Sequence, residues 1–340
     1  VNSTVDGLEL PALERFFGEH VPEFGGKLSA ELIQGGRSNL TYLLTDGRQR
    51  WVLRRPPLGE LTPSAHDMDR EYRVVAALSG SEVPVARAVA LAGPDVLGVP
   101  FSVVEFVEGR VIRTTEELDS LSQQDITRCA YAMVDVLARL HEVEPEAAGL
   151  ADFGRPEGYL SRQVRRWAGQ WDRVRTRELD DIGTLHARLA EACPAESGAS
   201  IVHGDYRIDN TILDSGDPAV VRAVVDWEMA TLGDPLADLG LHLVYSDPAF
   251  APVLAGAAAS TSDRLPPAAD LAERYARASG REPANLGFYL GLGYFKIAVI
   301  AEGIHARHVK GMTRGSGFEQ VGEAVAPLVA AGLKALGGWR

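Results

Sequence analysis

Over 340 residues the chain is 46% hydrophobic, 24% charged and 7% aromatic, a composition that fits a folded, enzyme-sized protein and excludes disorder as the main state. That length suggests two domains or one large two-lobed unit, with ample core. With 34 basic and 47 acidic residues the formal charge is −13, which argues against general affinity for nucleic acid or an anionic membrane but leaves room for a local anion site. The first ten residues carry Asp6 and Glu9 and no basic stretch ahead of an apolar run, so they do not read as a signal peptide. Cys129 and Cys193 stand alone without metal-ligand spacing; neither a disulfide framework nor a structural zinc is expected, and a reducing cytoplasm fits.

In chain order, Leu28–Gln34, Leu40–Thr45 and Trp51–Leu53 read as strands. Gly35-Gly36 lies in the first turn and Asp46-Gly47 in the second. A helix follows from about Asp67 to Leu78, with Tyr72, Val75, Ala76 and Leu78 facing inward. Two more strands fit Val83–Leu91 and Phe101–Val107, and Glu108-Gly109 breaks the pattern. Beyond residue 110 the periodicity is helical. Thr114 and Glu117 have capping-box spacing. Ile126, Cys129, Met133, Val136, Leu137 and Leu140 form one stripe, and Leu160, Val164, Trp167, Trp171 and Val174 another. The most apolar stretch, Tyr289–Ala301, holds Lys296 and is too short for a membrane span, so it reads as a buried helix within Pro283–His308. The last 20 residues also read as helix, and Leu254–Pro267 as a loop or a weak helix end. The expectation is a five-stranded β-rich lobe over residues 1–107 and a mainly helical lobe over 108–340, an α+β fold.

The chemistry concentrates in IVHGDYRIDNTILD (201–214) and VVDWE (224–228). Thr211–Leu213 and Val220–Val225 read as the strands of a hairpin, with Asp214–Pro218 as its turn. Asn210 stands just before the first strand and Asp226 just after the second, so a carboxamide oxygen and a carboxylate converge, as Mg²⁺ requires. Asp205 lies five positions ahead of Asn210, in the loop entering the hairpin, so one carboxylate can serve as base while the other holds metal, a layout for phosphoryl transfer.

HGDYRIDN followed by DWE resembles the catalytic and metal motifs of the aminoglycoside phosphotransferase-like branch of the protein-kinase-like superfamily. It looks most like a subgroup found free-standing in actinobacteria and related to domains fused to acyl-CoA dehydrogenases. The resemblance covers roughly residues 25–310 and implies a two-lobed kinase-like fold with ATP in the cleft (GTP being the other donor) and Mg²⁺ on Asn210 and Asp226. It makes Asp205 the base and places Arg207 near the transferred phosphoryl group. Gly35, Gly36, Ser38 and Asn39 correspond to the phosphate-covering turn. Arg54 takes the place of the ATP lysine, with Glu71 as its ion-pair partner. Glu105 and Val107 correspond to the adenine-pairing hinge.

Two departures stand out. Arg54 is not lysine, although arginine supplies a permanent charge and a bidentate fork. Asp226 is followed by Trp-Glu instead of Phe-Gly, which suggests no mobile regulatory segment. His203, His141, Asp234 and Asp238 read as bracing or capping residues. Arg162, Arg165, Arg166, Arg173, Arg175 and Arg177 read as a solvated helix face or, alternatively, as a docking surface for an anionic acceptor. Glu302, His305 and Arg307 are assigned to the acceptor pocket. The expected partner is a small hydroxylated molecule, neither nucleic acid nor membrane; the oligomeric state is not legible. The competing reading is a catalytically silent ATP-binding scaffold or sensor.

Overall fold

A computed structural model describes residues 7–33, 39–58, 67–254, 258–313 and 317–338. The chain forms two compact units. One comprises the residues up to Glu108 with Arg222–Glu228, and the other Gly109–Val221 with Met229 onward.

The first unit opens with helix α1 (Leu10–His20) and continues through β1 (Ser29–Leu32), β2 (Leu40–Thr45), β3 (Arg50–Arg55), helix α2 (Met68–Leu78), β4 (Ala88–Ala92), the short α3 (Pro94–Leu97) and β5 (Phe101–Glu105). The five strands make one antiparallel sheet in the order β1-β2-β3-β5-β4. Alternation along β3 decides what each face meets. Trp51, Leu53 and Arg55 turn into the core with Tyr42, Leu44, Phe101 and Val103, and α1 covers them. Phe17 meets Trp51 edge-on at 5.3 Å, and Phe16 meets Phe101 at 5.2 Å. Each such buried ring contributes on the order of 2–3 kcal/mol. Arg54, on the opposite face of β3, reaches α2.

Two sequence expectations shift here. The inward face of α2 is Glu71, Val74, Val75 and Leu78, while Ala76 is exposed. This is the i, i+3, i+4, i+7 stripe, and the polar Glu71 belongs to it because Arg54 supplies a partner. The fourth strand begins at Ala88 and not at Val83; Pro84 has no N–H to give a ladder, and its carbonyl instead accepts from Val224 N at 2.8 Å.

The second unit contains α4 (Thr115–Asp119), α5 (Gln123–Glu142), α6 (Tyr159–Val174), α7 (Asp180–Glu191), β6 (Ser200–Val202), β7 (Thr211–Leu213), β9 (Thr231–Gly233), α8 (Pro235–Val244), α9 (Ala268–Ser279), α10 (Leu286–Val309) and α11 (Val325–Leu336); β8 (Val221–Val224) belongs, but for Val221, to the first unit. The capping box of α4 forms: Thr114 Oγ1 accepts from Glu117 N, and Glu117 reaches back to Thr114 N. The predicted stripe of α5 is buried from Ile126 to Leu140. α10 is longer than the apolar run suggests. Its length and composition suit a membrane crossing, yet 72% of its most apolar window is buried inside the protein, as in a core helix. α8 crosses it at Gly240, where a Cβ would stand 2.8 Å from the backbone of Tyr289. β6, antiparallel to β9, delivers the chain into the loop that carries Asp205.

Candidate active site

In the second unit the segment from His203 to Asn210 leaves β6, passes through a 3₁₀ turn at Ile208–Asn210 and enters β7. Its backbone is held from beneath by Asp238, whose buried carboxylate accepts from His203 N at 2.6 Å and Gly204 N at 2.8 Å. His141 Nε2 adds a longer contact at 3.4 Å. Burial works to raise the pKa of Asp238, but the His141 and His203 donors together outweigh it and hold the group below its usual range. Gly204 has φ +80°, and a Cβ there would press within 2.9 Å of the Met229 carbonyl; the turn therefore needs glycine. His203 is fully buried, and its Nδ1 accepts from Asp205 N at 3.2 Å, a bracing geometry as expected.

This frame presents Asp205 with donors on both oxygens. Asn210 Nδ2 donates to the Asp205 carbonyl at 2.8 Å and to Oδ2 at 3.0 Å. Arg207 Nε lies 3.4 Å from Oδ1, while Arg207 Nη1 pairs with Asp209 at 2.7 Å. Tyr245, 40 residues downstream, donates its phenol O–H to Oδ1. Lys296 of α10 donates to the Gly204 carbonyl at 2.5 Å, and its ammonium lies 5.7 Å from the ring centroid of Trp167. Burial lowers the pKa of Lys296, and Asp205 and Asp238 oppose that shift. The sequence marks neither Tyr245 nor Lys296 as part of this loop. The only signal is a lysine inside the most apolar run of the chain, where an unpaired charge would be costly.

In the first unit Arg54 bridges two carboxylates. Nη1 meets Glu71 Oε1 at 2.6 Å and Nη2 meets Asp226 Oδ1 at 2.9 Å. Burial pushes the Glu71 carboxyl up to about 7; Arg54 counters this, but Asp226 and Glu228 add to it. Asp226 itself has φ +66°, a left-handed conformation uncommon for a residue with a side chain. Strain of this kind persists where surrounding contacts enforce it and clusters at functional positions. Glu105 closes β5, with its carboxylate 3.1 Å from Arg87 Nε, and Val107 follows one residue before the unit boundary. Asn39 is buried at the start of β2; Gly35, Gly36 and Ser38 lie outside the described residues.

The three residues assigned to the acceptor have different surroundings. Glu302 is fully buried and is spent on the protein itself, accepting from Thr176 N at 2.6 Å and Thr176 Oγ1 at 2.7 Å, with Arg177 Nε 3.2 Å from its second oxygen. It ties the chain beyond α6 to α10. His305 lines a cavity of about 440 Å³ together with Thr176, Arg177, Glu319, Gly322 and Glu323. Arg307 is exposed in the last turn of α10. Of the arginine run, Arg165, Arg166, Arg173 and Arg175 are exposed, as a solvated face would be.

Each unit by itself offers a hard oxygen donor: in the second, Asn210 Nδ2 is committed to Asp205, so its carboxamide oxygen is the atom left to ligate, and in the first Asp226 carries a carboxylate. The profile of the phosphotransferase enzyme family matches residues 29–283. The human protein named acyl-CoA dehydrogenase family member 11 is 32% identical over 332 residues, which is 95% of this chain and 42% of that protein, so the chain spans about two fifths of its length. The crystal structure of a candidate aminoglycoside phosphotransferase from Ralstonia eutropha JMP134 matches with a TM-score of 0.83 and 34% identity, covering 97% of this chain and 98% of that one. A thermostable mutant of aminoglycoside phosphotransferase APH(4)-Ia, in a ternary complex with AMP-PNP and hygromycin B, matches with a TM-score of 0.61 at 17% identity over 94% and 99% of the two chains, a likeness of fold. The five-stranded antiparallel sheet and the mainly helical second unit are thus those of the kinase-like α+β fold expected from the motifs, and the chain belongs to the phosphotransferase enzyme family.

Proposed function

We propose that the protein transfers the γ-phosphoryl group of ATP to a hydroxyl of a small molecule, with Asp205 as the base. The observation that carries this reading is the Asp205 carboxylate, partly open to solvent and fixed by donors from Asn210, Arg207 and Tyr245 on a loop braced by Asp238. In the reaction the acceptor oxygen forms a bond to the γ-phosphorus, the bond to the ADP oxygen breaks, and the acceptor proton passes to Asp205. Arg207 stands two residues away as a fixed positive charge for the transferring group. Burial alone would lower its pKa, but Asp205 and Asp209 more than reverse this. Arg54 meets the phosphates and Glu71 keeps its guanidinium in place. Gly35, Gly36, Ser38 and Asn39 cover the phosphates, and the Glu105 carbonyl and Val107 N–H pair with adenine. Mg²⁺ on Asn210 and Asp226 would neutralise phosphate charge; these assignments rest on the motif and on the donor chemistry of each residue.

The acceptor reads as a small hydroxylated metabolite, a hydroxy acid or its acyl-CoA. The exposed arginines on and just beyond α6 disfavour a polycation if they face the acceptor. Support for a nucleotide donor and a small-molecule acceptor also comes from the APH(4)-Ia complex, whose fold this chain shares. A second reading, a silent nucleotide-binding scaffold, draws on the occupation of Arg54 by both Glu71 and Asp226. One experiment separates them: ADP release measured against aminoglycosides, hydroxy acids and hydroxyacyl-CoAs in parallel, with wild type and Asp205→Asn. The phosphotransferase reading expects turnover with at least one acceptor, lost by about 10²–10⁴-fold in D205N while Mg·ATP binding persists. Binding without transfer to any acceptor supports the scaffold.

A further inference from the structure

Tyr245 follows α8 directly, and its ring packs on Phe250 with centroids 4.9 Å apart. The Arg207 guanidinium lies 5.7 Å from the ring centroid. The side chain is almost wholly buried, yet its hydroxyl reaches a carboxylate that is 27% exposed. Its partner atom, Asp205 Oδ1, is not the oxygen that Asn210 holds. The two contacts therefore pin opposite ends of the carboxylate and fix its plane. The charged groups around Asp205 are Arg207 and Asp209 from its own loop and Lys296 from α10. None of these makes a hydrogen bond to Oδ1: Arg207 Nε donates to Oδ2 at 3.5 Å and its Nη1 pairs with Asp209, while Lys296 is committed to the Gly204 carbonyl. Burial, and then Asp205 itself, push the Tyr245 phenol well above its ordinary range, so it remains a proton donor.

An exposed base on a phosphoryl-transfer site accepts from whichever O–H reaches it. Without an acceptor that O–H is water: its oxygen bonds to the γ-phosphorus, the bond to ADP breaks, the water proton goes to the base, and the products are ADP and phosphate. We propose that Tyr245 is a positioning residue that fixes the orientation of Asp205 and occupies Oδ1, so that water does not take the place of the acceptor hydroxyl. The inference rests on Asp205 being the base of a phosphotransferase.

The test is phosphate release from Mg·ATP without any acceptor, for wild type, Tyr245→Phe, Asp205→Asn and the double variant, with Mg·ATP affinity and thermal unfolding measured on each. Phenylalanine keeps the ring on Phe250 and removes only the hydroxyl. The expected result is release raised roughly tenfold in Y245F, about the worth of one hydrogen bond to a charged group, with Mg·ATP affinity within about twofold of wild type, and with the increase abolished in the double variant. Release in Y245F at or below the wild-type rate overturns the proposal. So does an increase that survives D205N, or phosphate found on Tyr245 itself by mass spectrometry. If wild type fails to bind Mg·ATP, or if D205N leaves hydrolysis intact, the assignment of Asp205 fails first and the role of Tyr245 falls with it.

Discussion

Asn210 turns its amide nitrogen onto Asp205, donating to both the backbone carbonyl and the carboxylate. One side chain thereby stiffens the carboxylate proposed as the base and aims its own oxygen away from it. Asparagine is the residue that can do both, since aspartate at this position would offer no donor and would set a second carboxylate within hydrogen-bond reach of the first. Asn210→Asp is expected to lower acceptor-dependent ADP release by at least about 100-fold, the usual cost when a reacting group loses its orientation. The overall fold should persist, because the substitution is nearly isosteric. Steady-state ADP release together with far-UV circular dichroism checks both halves, and turnover close to wild type would contradict them.

Glu71 makes the stability of the first unit pH-dependent in a stated direction. Its carboxyl is raised from 4.5 to about 7 in the folded protein, chiefly by burial. Between those values the folded state binds more protons than the unfolded state. The stability this group contributes is therefore fully present below about pH 4.5 and is lost as pH rises through about 7. Glu71→Gln stays neutral throughout. Urea unfolding of wild type and E71Q at pH 5 and pH 8 should show wild type losing on the order of 1–3 kcal/mol relative to E71Q between the two conditions. An unchanged difference would mean that Arg54 holds Glu71 ionised across the range.

How far the site is legible in the sequence follows from how its parts are spaced. Asp205, Arg207 and Asn210 share one loop, so type and interval alone bring them together. Tyr245 and Lys296 arrive from 40 and 92 residues beyond the atoms they bond, carried by α8 and α10, and no local pattern records that meeting. The sheet is readable because period-two alternation and the Asp46-Gly47 turn coincide. α1 is harder, since its buried apolar positions Leu13, Phe16 and Phe17 span little more than one turn and follow a polar stretch. α7 and α9 carry three buried positions each, Ile182, Leu185 and Leu189 in one and Leu271, Ala272 and Tyr275 in the other, too few to stand out from alanine-rich surroundings. Glu302 has the look of a site acid because a charged residue on an apolar helix suggests function; its role depends on Thr176 and Arg177, 126 and 125 positions earlier in the chain.

Asp238 couples folding to the shape of the loop that carries Asp205. Two backbone N–H groups converge on a fully buried carboxylate, and removing it leaves both without an acceptor. Asp238→Ala is expected to cost about 3–5 kcal/mol, the range for stripping charged hydrogen bonds from a buried site. Asp238→Asn should recover only part of that, since one of its two terminal atoms presents donors to donors. Denaturant unfolding gives the energies. The loop effect is read separately from ADP release by the folded fraction, which should fall in both variants; D238N as stable as wild type would show that water replaces the lost contacts.

Two glycines in helices should respond to alanine with opposite sign. Gly240 of α8 lies against Tyr289 of α10, where a new Cβ would come within 2.8 Å of backbone atoms that neither helix can move without the other. Gly240→Ala is expected to destabilise by about 1–3 kcal/mol, as overpacking does. Gly183 is exposed at the end of the first turn of α7, and a Cβ added there would meet nothing within 4 Å. Alanine at that position removes backbone freedom from the unfolded chain and meets no obstacle, so Gly183→Ala should stabilise by about 0.5–1 kcal/mol. Paired urea melts of the two variants test the close approach of α8 and α10 directly: a Gly240→Ala protein as stable as wild type would require the two helices to lie farther apart than they do here.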